Sequence, residues 1–126
     1  MPTLVFSNAY RTLAWPALGL KWSARSGPWG EGELPAGRYL IGRREIVPYS
    51  SRVPEGFRDG SGQGYFVPIY PTFPTHRGKD GRLGIHPDGN KPGTRGCIGI
   101  QREHAKDFYE HIVKTPINAH LTLEVR

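Results

Sequence analysis

The sequence predicts a mainly β fold. Three observations support this: frequent glycine and proline, short apolar segments that alternate like strands, and a single clearly helical segment. Hydrophobic residues make up 37% of the 126, with Gly 17 and Pro 12. This composition is typical of a turn-rich β protein rather than a helical bundle. No repeat or linker interrupts the chain, so we expect residues 1–126 to form one domain.

The first half of the chain contains three predicted strands separated by turn residues. Residues 3–6 form the first strand. Residues 17–23 form the second, because apolar side chains there alternate with small or polar ones. Residues 26–32 are a loop, since Gly and Pro interrupt regular pairing, and residues 38–43 form the third strand. Residues 47–63 are polar and turn-rich, without a periodic pattern.

The second half contains further strands and the one predicted helix. Residues 64–70 and 83–86 are apolar strands, and a glycine-rich loop then leads to an apolar segment that begins at Cys97. Residues 102–114 form a helix, because their apolar side chains recur at the spacing of one helical face. Pro116 ends this helix, and alternation over residues 121–125 predicts a last strand. The helix face consists of Ala105, Phe108, Tyr109, Ile112 and Val113.

The charge of the chain is basic, with 17 Lys+Arg against 11 Asp+Glu, a net charge of +6. A basic surface favours polyanionic partners such as nucleic acid, anionic lipid or an acidic cell-wall polymer. No apolar stretch approaches the roughly 20 residues of a membrane span. The N-terminal residues lack the basic and apolar regions of a secretory signal, so we expect cytoplasmic synthesis without that signal.

The chain holds one cysteine, which excludes an internal disulfide. Cys97 is therefore a packed side chain, a lone metal ligand or a nucleophile. His86 precedes it across a glycine-rich loop that can fold back and bring imidazole and thiol together. A thiol attacks as thiolate, and its pKa falls beside a histidine or a cation such as Arg95. Gly96 leaves room for backbone N–H groups to bind an oxyanion.

These residues resemble the L,D-transpeptidase catalytic domain (YkuD type). The matching pattern is His86, a loop, then Thr94, Arg95, Gly96, Cys97 and an apolar residue, and Pro35-Ala-Gly-Arg-Tyr resembles the family's upstream strand. The resemblance implies a β-sandwich-like domain with one helix in its C-terminal half. It also implies no cofactor or metal, with Cys97 as nucleophile, His86 as base, and Gly96, Arg95 and Thr94 supporting the oxyanion.

The same resemblance implies a reaction on peptidoglycan tetrapeptide stems. Cys97 would attack the carbonyl at the L-centre of the third residue, release the terminal D-alanine and form a thioester. Transfer to water gives a tripeptide, and transfer to an amine gives D-amino-acid exchange or a cross-link. The site of action would be the periplasm or cell wall.

Three departures from the pattern concern the residue before Gly96, the residue at position 99 and the loop before Cys97. Arg95 replaces the usual histidine, Gly99 stands where wall-building members carry Arg or Asn, and the loop is short. Short versions of this kind resemble phage wall enzymes and type VI secretion effectors. They imply delivery by phage lysis or a secretion system, with an immunity or delivery protein as partner, and favour cleavage or exchange.

Three residues are predicted to contact substrate: Asp88, Arg82 and Tyr65. Asp88 could hold a substrate ammonium group or orient His86, although Pro87-Asp-Gly is also ordinary turn sequence. Tyr65 belongs to an aromatic segment that could line the substrate groove. The histidines outside His86 show no metal-site spacing, so no metal site is predicted.

Two other functions are compatible with parts of the sequence. A nucleic-acid-binding β module would account for the basic charge and the aromatic residues but not for the pairing of His86 with Cys97. A cell-wall-binding domain without catalysis would hold Cys97 as an inert packed side chain. Neither reading explains why a glycine-flanked cysteine follows a strand that ends in histidine, so we expect no nucleic-acid partner.

Overall fold

The computed structural model describes residues 3–27, 32–75, 83–89 and 97–126. Arg82, Thr94, Arg95 and Gly96, all predicted to act at the site, lie outside these ranges. The described strands are β1 (Thr3–Ser7), β2 (Thr12–Trp15), β3 (Leu20–Arg25), β4 (Gly37–Ile41), β5 (Val47–Ser50), β6 (Gly64–Pro71), β7 (Gly84–Pro87), β8 (Ile98–Ile100) and β9 (Thr122–Val125). The described ranges contain one α-helix, α1 (Arg102–Lys114), and three 3-10 turns, Pro16–Leu18, Arg43–Glu45 and Glu55–Phe57.

The strands form a single sheet that closes on itself. Their order is β4-β9-β1-β2-β3-β8-β7-β6-β5, and β4 also pairs with β6. The sheet closes because β4 pairs with the last residues of β6. Strand β5 pairs with the first residues of β6, so β4 and β5 lie along the same edge of that strand. The fold is mainly β, as predicted, but the predicted sandwich is wrong. The sheet is a closed, barrel-like structure rather than two stacked layers.

The predicted elements agree with the structure best where the apolar pattern is longest. The helix over residues 102–114 is confirmed, and it buries Ala105, Phe108 and Ile112. Val113, predicted on the same face, is instead 48% exposed. The predicted strand 17–23 starts too early, because Ala17 and Leu18 belong to a 3-10 turn. The strands β2 and β5 were not predicted.

Aromatic side chains connect helix α1 to the inner face of the sheet. Trp22 packs edge-on against Phe108, with ring centroids 5.2 Å apart, and its indole N–H donates to Asp107 at 2.8 Å. The Tyr65 hydroxyl donates to the carbonyl of Ala105 at 2.6 Å. These hydrogen bonds, one buried and one part-buried, satisfy the polar ends of both aromatic side chains, so α1 is held in one position against the barrel.

The C-terminal end of α1 is capped by an arginine from the distant β4–β5 connection. The guanidinium of Arg43 donates to the carbonyl oxygens of Ile112, Thr115, Pro116 and Ala119. The last carbonyls of a helix have no partner within the helix, and a cation there also complements the helix dipole. No described helix is long and apolar enough to cross a bilayer.

Candidate active site

The register of two parallel strands brings His86 and Cys97 to the same face of the sheet. In the β7–β8 pair, Ile85 lies opposite Ile98 and His86 lies opposite Gly99. One step earlier in this register, Gly84 lies opposite Cys97. Side chains alternate between faces along a strand, so Gly84, His86, Cys97 and Gly99 all point away from the barrel interior.

The two candidate catalytic side chains are diagonal neighbours on this outer face. Adjacent strands are separated by about 4.8 Å and two residues span about 6.6 Å, so the Cα atoms of His86 and Cys97 lie roughly 8 Å apart. The residue opposite each of them, Gly99 or Gly84, has no side chain to separate them. An imidazole and a thiol at this separation can reach one another if both side chains turn inward along the diagonal, and the hydrogen bond between them stays a prediction.

A backbone carbonyl sets the tautomer of His86. Its Nδ1 lies 2.7 Å from the carbonyl oxygen of Pro87. A carbonyl can only accept, so Nδ1 carries the proton and Nε2 of the neutral ring is an acceptor. This arrangement leaves Nε2 as the ring atom that can take a proton from a thiol.

Aromatic rings cover His86 on the outer face. Its ring centroid lies 4.2 Å from that of Phe57 and 6.1 Å from that of Phe66, and the residue is 4% exposed. Burial lowers the pKa of His86 to about 4, although the hydrogen bond to Pro87 acts in the opposite direction. The imidazole is therefore neutral at ordinary pH and is competent as a base.

The Cys97 side chain is half-buried beside β7. Burial raises the pKa of the Cys97 thiol, while a hydrogen bond from the Gly84 backbone lowers it by a smaller amount. The direction is opposite to the lowered thiol pKa predicted from sequence. The physical reason is desolvation of the sulfur beside β7, which disfavours the charged thiolate.

A short segment of the β5–β6 connection covers His86 on the outer face of the sheet. The 3-10 turn Glu55–Phe57 lies against the end of β7, where a Cβ at Gly89 would overlap the Gly56 carbonyl. A Cβ at Gly64 would likewise overlap the Phe57 carbonyl. Glycine at both positions therefore permits the close approach that sets Phe57 on the imidazole.

Asp88 lies on the same face as His86 but is paired with a different group. Its backbone N–H donates to Ile100 at 2.7 Å, and its carboxylate lies 3.3 Å from Nε of Arg25. The orienting bond to His86 comes from Pro87 instead. A substrate-binding role for Asp88 stays a prediction, and the ion pair makes it a partner of Arg25.

Tyr65, predicted to contact substrate, is 0% exposed and belongs to the core. It points inward with Val67 and Ile69, whereas Phe66 points outward toward His86. We therefore leave Tyr65 out of the substrate contacts that we propose. Phe66 belongs to the same predicted aromatic segment as Tyr65, and counting alternate positions along β6 distinguishes the two. Phe57 carries no signal in the sequence and was not predicted at the site.

We expect His86 to make the fold sensitive to mild acid. Its pKa is about 4 in the folded protein, against an ordinary 6.5, so between these values the unfolded chain binds more protons. The free energy of unfolding should therefore fall as pH drops through this window, by roughly 3 kcal/mol in total from this group. The measurement is urea unfolding of the wild type and His86→Gln at pH 7 and pH 4.5.

The matched control is the exposed His104 at the start of α1, whose His104→Gln variant should keep the wild-type loss of stability. The His86→Gln variant should lose about 2 to 3 kcal/mol less than the wild type over the same interval. Identical pH dependence in the wild type and His86→Gln would show that His86 is not held neutral by its surroundings.

Comparison with known proteins identifies one family. A family model for the L,D-transpeptidase catalytic domain matches residues 4–118. A search of curated proteins finds no match. Within the described part of the chain, no three His, Cys, Asp or Glu side chains come together as metal ligands would.

Proposed function

Since the chain belongs to the L,D-transpeptidase catalytic domain family, we propose that it acts on peptidoglycan tetrapeptide stems through a thioester on Cys97. Family membership makes peptidoglycan modification the activity and the cell wall or periplasm the place where it occurs. It offers nothing in favour of a nucleic-acid-binding module or a wall-binding domain without catalysis. The observation that carries the proposal is the β7–β8 register, which sets His86 and Cys97 on one face with glycine opposite each.

Acylation begins with the neutral imidazole of His86 and the neutral thiol of Cys97. Nε2 of His86 takes the thiol proton while the sulfur attacks the carbonyl carbon at the L-centre of the third stem residue. The carbonyl oxygen becomes an oxyanion, for which Gly96, Arg95 and Thr94 are the predicted support. The protonated imidazole then gives its proton to the amine of the terminal D-alanine as the carbon–nitrogen bond breaks, and the thioester remains.

Deacylation uses the same base in the second half of the cycle. His86 removes a proton from an incoming water or amine, which attacks the thioester carbonyl, and the proton passes to the departing sulfur of Cys97. Water yields a tripeptide stem, a D-amino acid yields an exchanged tetrapeptide, and a second stem yields a cross-link.

The aromatic rings that cover His86 support catalysis by a neutral imidazole and a neutral thiol. The rings of Phe57 and Phe66 exclude water from the imidazole, so no solvent has to be removed when the proton moves. The Pro87 carbonyl stabilises the imidazolium that forms during attack, because its bond to Nδ1–H strengthens when the ring becomes charged. The proton transfer therefore takes place as substrate binds, without a preformed thiolate.

We expect tripeptide and exchanged stems to outnumber cross-linked products. The short loop before Cys97 and the glycine at position 99 leave the thioester open to water or a small amine before a second stem docks. The measurement is incubation of the protein with purified tetrapeptide muropeptides, with and without a free D-amino acid, and product analysis by mass spectrometry. Cys97→Ala is the control for non-enzymatic change. Products dominated by 3–3 dimers would contradict this preference, and unchanged muropeptides would contradict the proposed function itself.

A further inference from the structure

A row of three residues crosses the sheet next to the candidate active site. Arg25 of β3 lies opposite Gly99 of β8, and Gly99 lies opposite His86 of β7. Residues opposite one another share a face, so Arg25 projects from the same outer face as His86 and Cys97. Along β3 the inward positions are taken by the buried Trp22 and Ala24, which agrees with an outward Arg25.

The Arg25 side chain reaches over β8 to the end of β7. Its Nε lies 3.3 Å from the Asp88 carboxylate, and Asp88 is fixed beside Ile100 by a backbone hydrogen bond. The strand β8 lies between the two partners, and at the level of Arg25 it carries Gly99, which has no side chain in the way. The guanidinium is therefore held close to the catalytic pair by a fixed anion.

The two members of this ion pair differ in exposure. The Arg25 side chain is 45% exposed, whereas the Asp88 side chain is 10% exposed. A carboxylate buried to this extent needs a cationic partner, so Asp88 fixes the direction of the guanidinium. The 3.3 Å contact is made by Nε, and the two terminal nitrogens carry the further N–H donors of the planar fork. These donors suit a second carboxylate that approaches from solvent.

We propose that Arg25 binds the terminal carboxylate of the donor stem peptide, positioned for this by Asp88. This inference rests on the proposed function. Arg25 and Cys97 are diagonal neighbours across β3 and β8, about 7 to 8 Å apart at their Cα atoms. In the substrate, only the leaving nitrogen and one carbon separate the scissile carbonyl from the terminal carboxylate. The terminal carboxylate can therefore meet the guanidinium held at Asp88 when the D-alanine extends from the Cys97 sulfur past His86 along the sheet.

The distinguishing experiment compares two donor peptides. One is a tetrapeptide stem with its free terminal carboxylate, and the other carries a terminal carboxamide. Loss of one charge-assisted hydrogen bond costs about 1.5 to 3 kcal/mol, so the wild type should prefer the acid by roughly 10- to 100-fold in kcat/KM. Arg25→Ala should turn over both donors equally, with the loss on the acid appearing mainly in KM.

Two further variants separate recognition from a merely structural ion pair. Lys21→Ala removes an exposed cation from the same face of β3 and should keep the wild-type preference for the acid. Arg25→Gln removes the charge but keeps an N–H donor for Asp88, so it should lose the preference while retaining the wild-type circular dichroism spectrum, even if its stability falls. If Arg25→Ala folds poorly, the Arg25→Gln comparison decides.

The outcomes distinguish this inference from the function on which it rests. An active wild type whose preference for the acid survives in Arg25→Gln would overturn the role of Arg25 and leave the function standing. An active wild type without any preference between the two donors would do the same. A wild type that converts neither donor would overturn both.

Discussion

Replacing Cys97 with alanine should reduce the release of D-alanine from tetrapeptide muropeptides to the uncatalysed level. The thioester route has no other nucleophile, so the loss should be on the order of 10⁴-fold or more, as for other covalent catalysts that lose the attacking atom. Cys97→Ser should be nearly as inactive, because a neutral imidazole deprotonates a hydroxyl far less readily than a thiol. The measurement is turnover followed by liquid chromatography with mass spectrometry.

The folded state provides the control for this variant. Cys97 is half-buried, and removal of one sulfur from such a site costs little packing, so the Cys97→Ala protein should melt close to the wild-type temperature. Wild-type turnover by a folded Cys97→Ala protein would show that the reaction does not use this thiol.

Replacing His86 with alanine should slow acylation by about 10²- to 10⁴-fold, the usual effect of losing a general base. In the wild type, the acylation rate should decrease only as the pH drops toward 4, because burial lowers the pKa of His86 to about 4 and the ring stays neutral above that value. The measurement is single-turnover acylation of the wild type and variant between pH 4 and pH 8.

The exposed histidine at the start of the helix again supplies the matched control. His104→Ala removes an imidazole at a distance from the site and should acylate at the wild-type rate across the same pH range. Equal rates for His86→Ala and the wild type would remove His86 from the mechanism and leave the activation of Cys97 to another group.

Local patterns in the sequence were sufficient to predict the helix and to suggest the candidate catalytic pair, which stays a prediction. The helix over residues 102–114 follows from a periodic apolar face and from the proline beyond its end, both of which are local features. His86 and Cys97 were predicted as partners because a strand, a glycine-rich loop and a cysteine follow one another in the chain. Their common face is a consequence of the β7–β8 register.

Long-range pairing explains what the sequence could not predict. The sheet closes because β4 and β5 divide one side of β6 between them, and no local pattern near residue 40 specifies pairing with residue 70. The β-sandwich-like domain that the resemblance implies is wrong because the sheet closes in this way. The Arg25–Asp88 ion pair likewise joins residues that are distant in sequence, so the sequence allows Asp88 a turn, a substrate contact or a link to His86 but does not indicate Arg25.

Burial accounts for the other difference. The sequence predicts a lowered pKa for the Cys97 thiol because His86 and Arg95 are expected beside it, but burial of the sulfur raises that pKa. The ring of Phe57, from a segment without periodic pattern, covers His86 and keeps it neutral. One position along β6 also decided which aromatic residue faces the site, because Phe66 points outward and Tyr65 inward. The neutrality of His86 and the outward direction of Phe66 both depend on which face of a strand a distant segment covers and shields from solvent.

The most direct test of the proposed mechanism is the detection of the acyl-enzyme itself. The wild-type protein would be mixed with tetrapeptide muropeptide, quenched in acid within the first turnover, digested and mapped by mass spectrometry. The mechanism predicts that the peptide containing Cys97 gains the mass of the stem without its terminal D-alanine, and that mild hydroxylamine removes the adduct, as expected of a thioester. Release of D-alanine without any adduct on Cys97, or with an adduct on another residue, would contradict it.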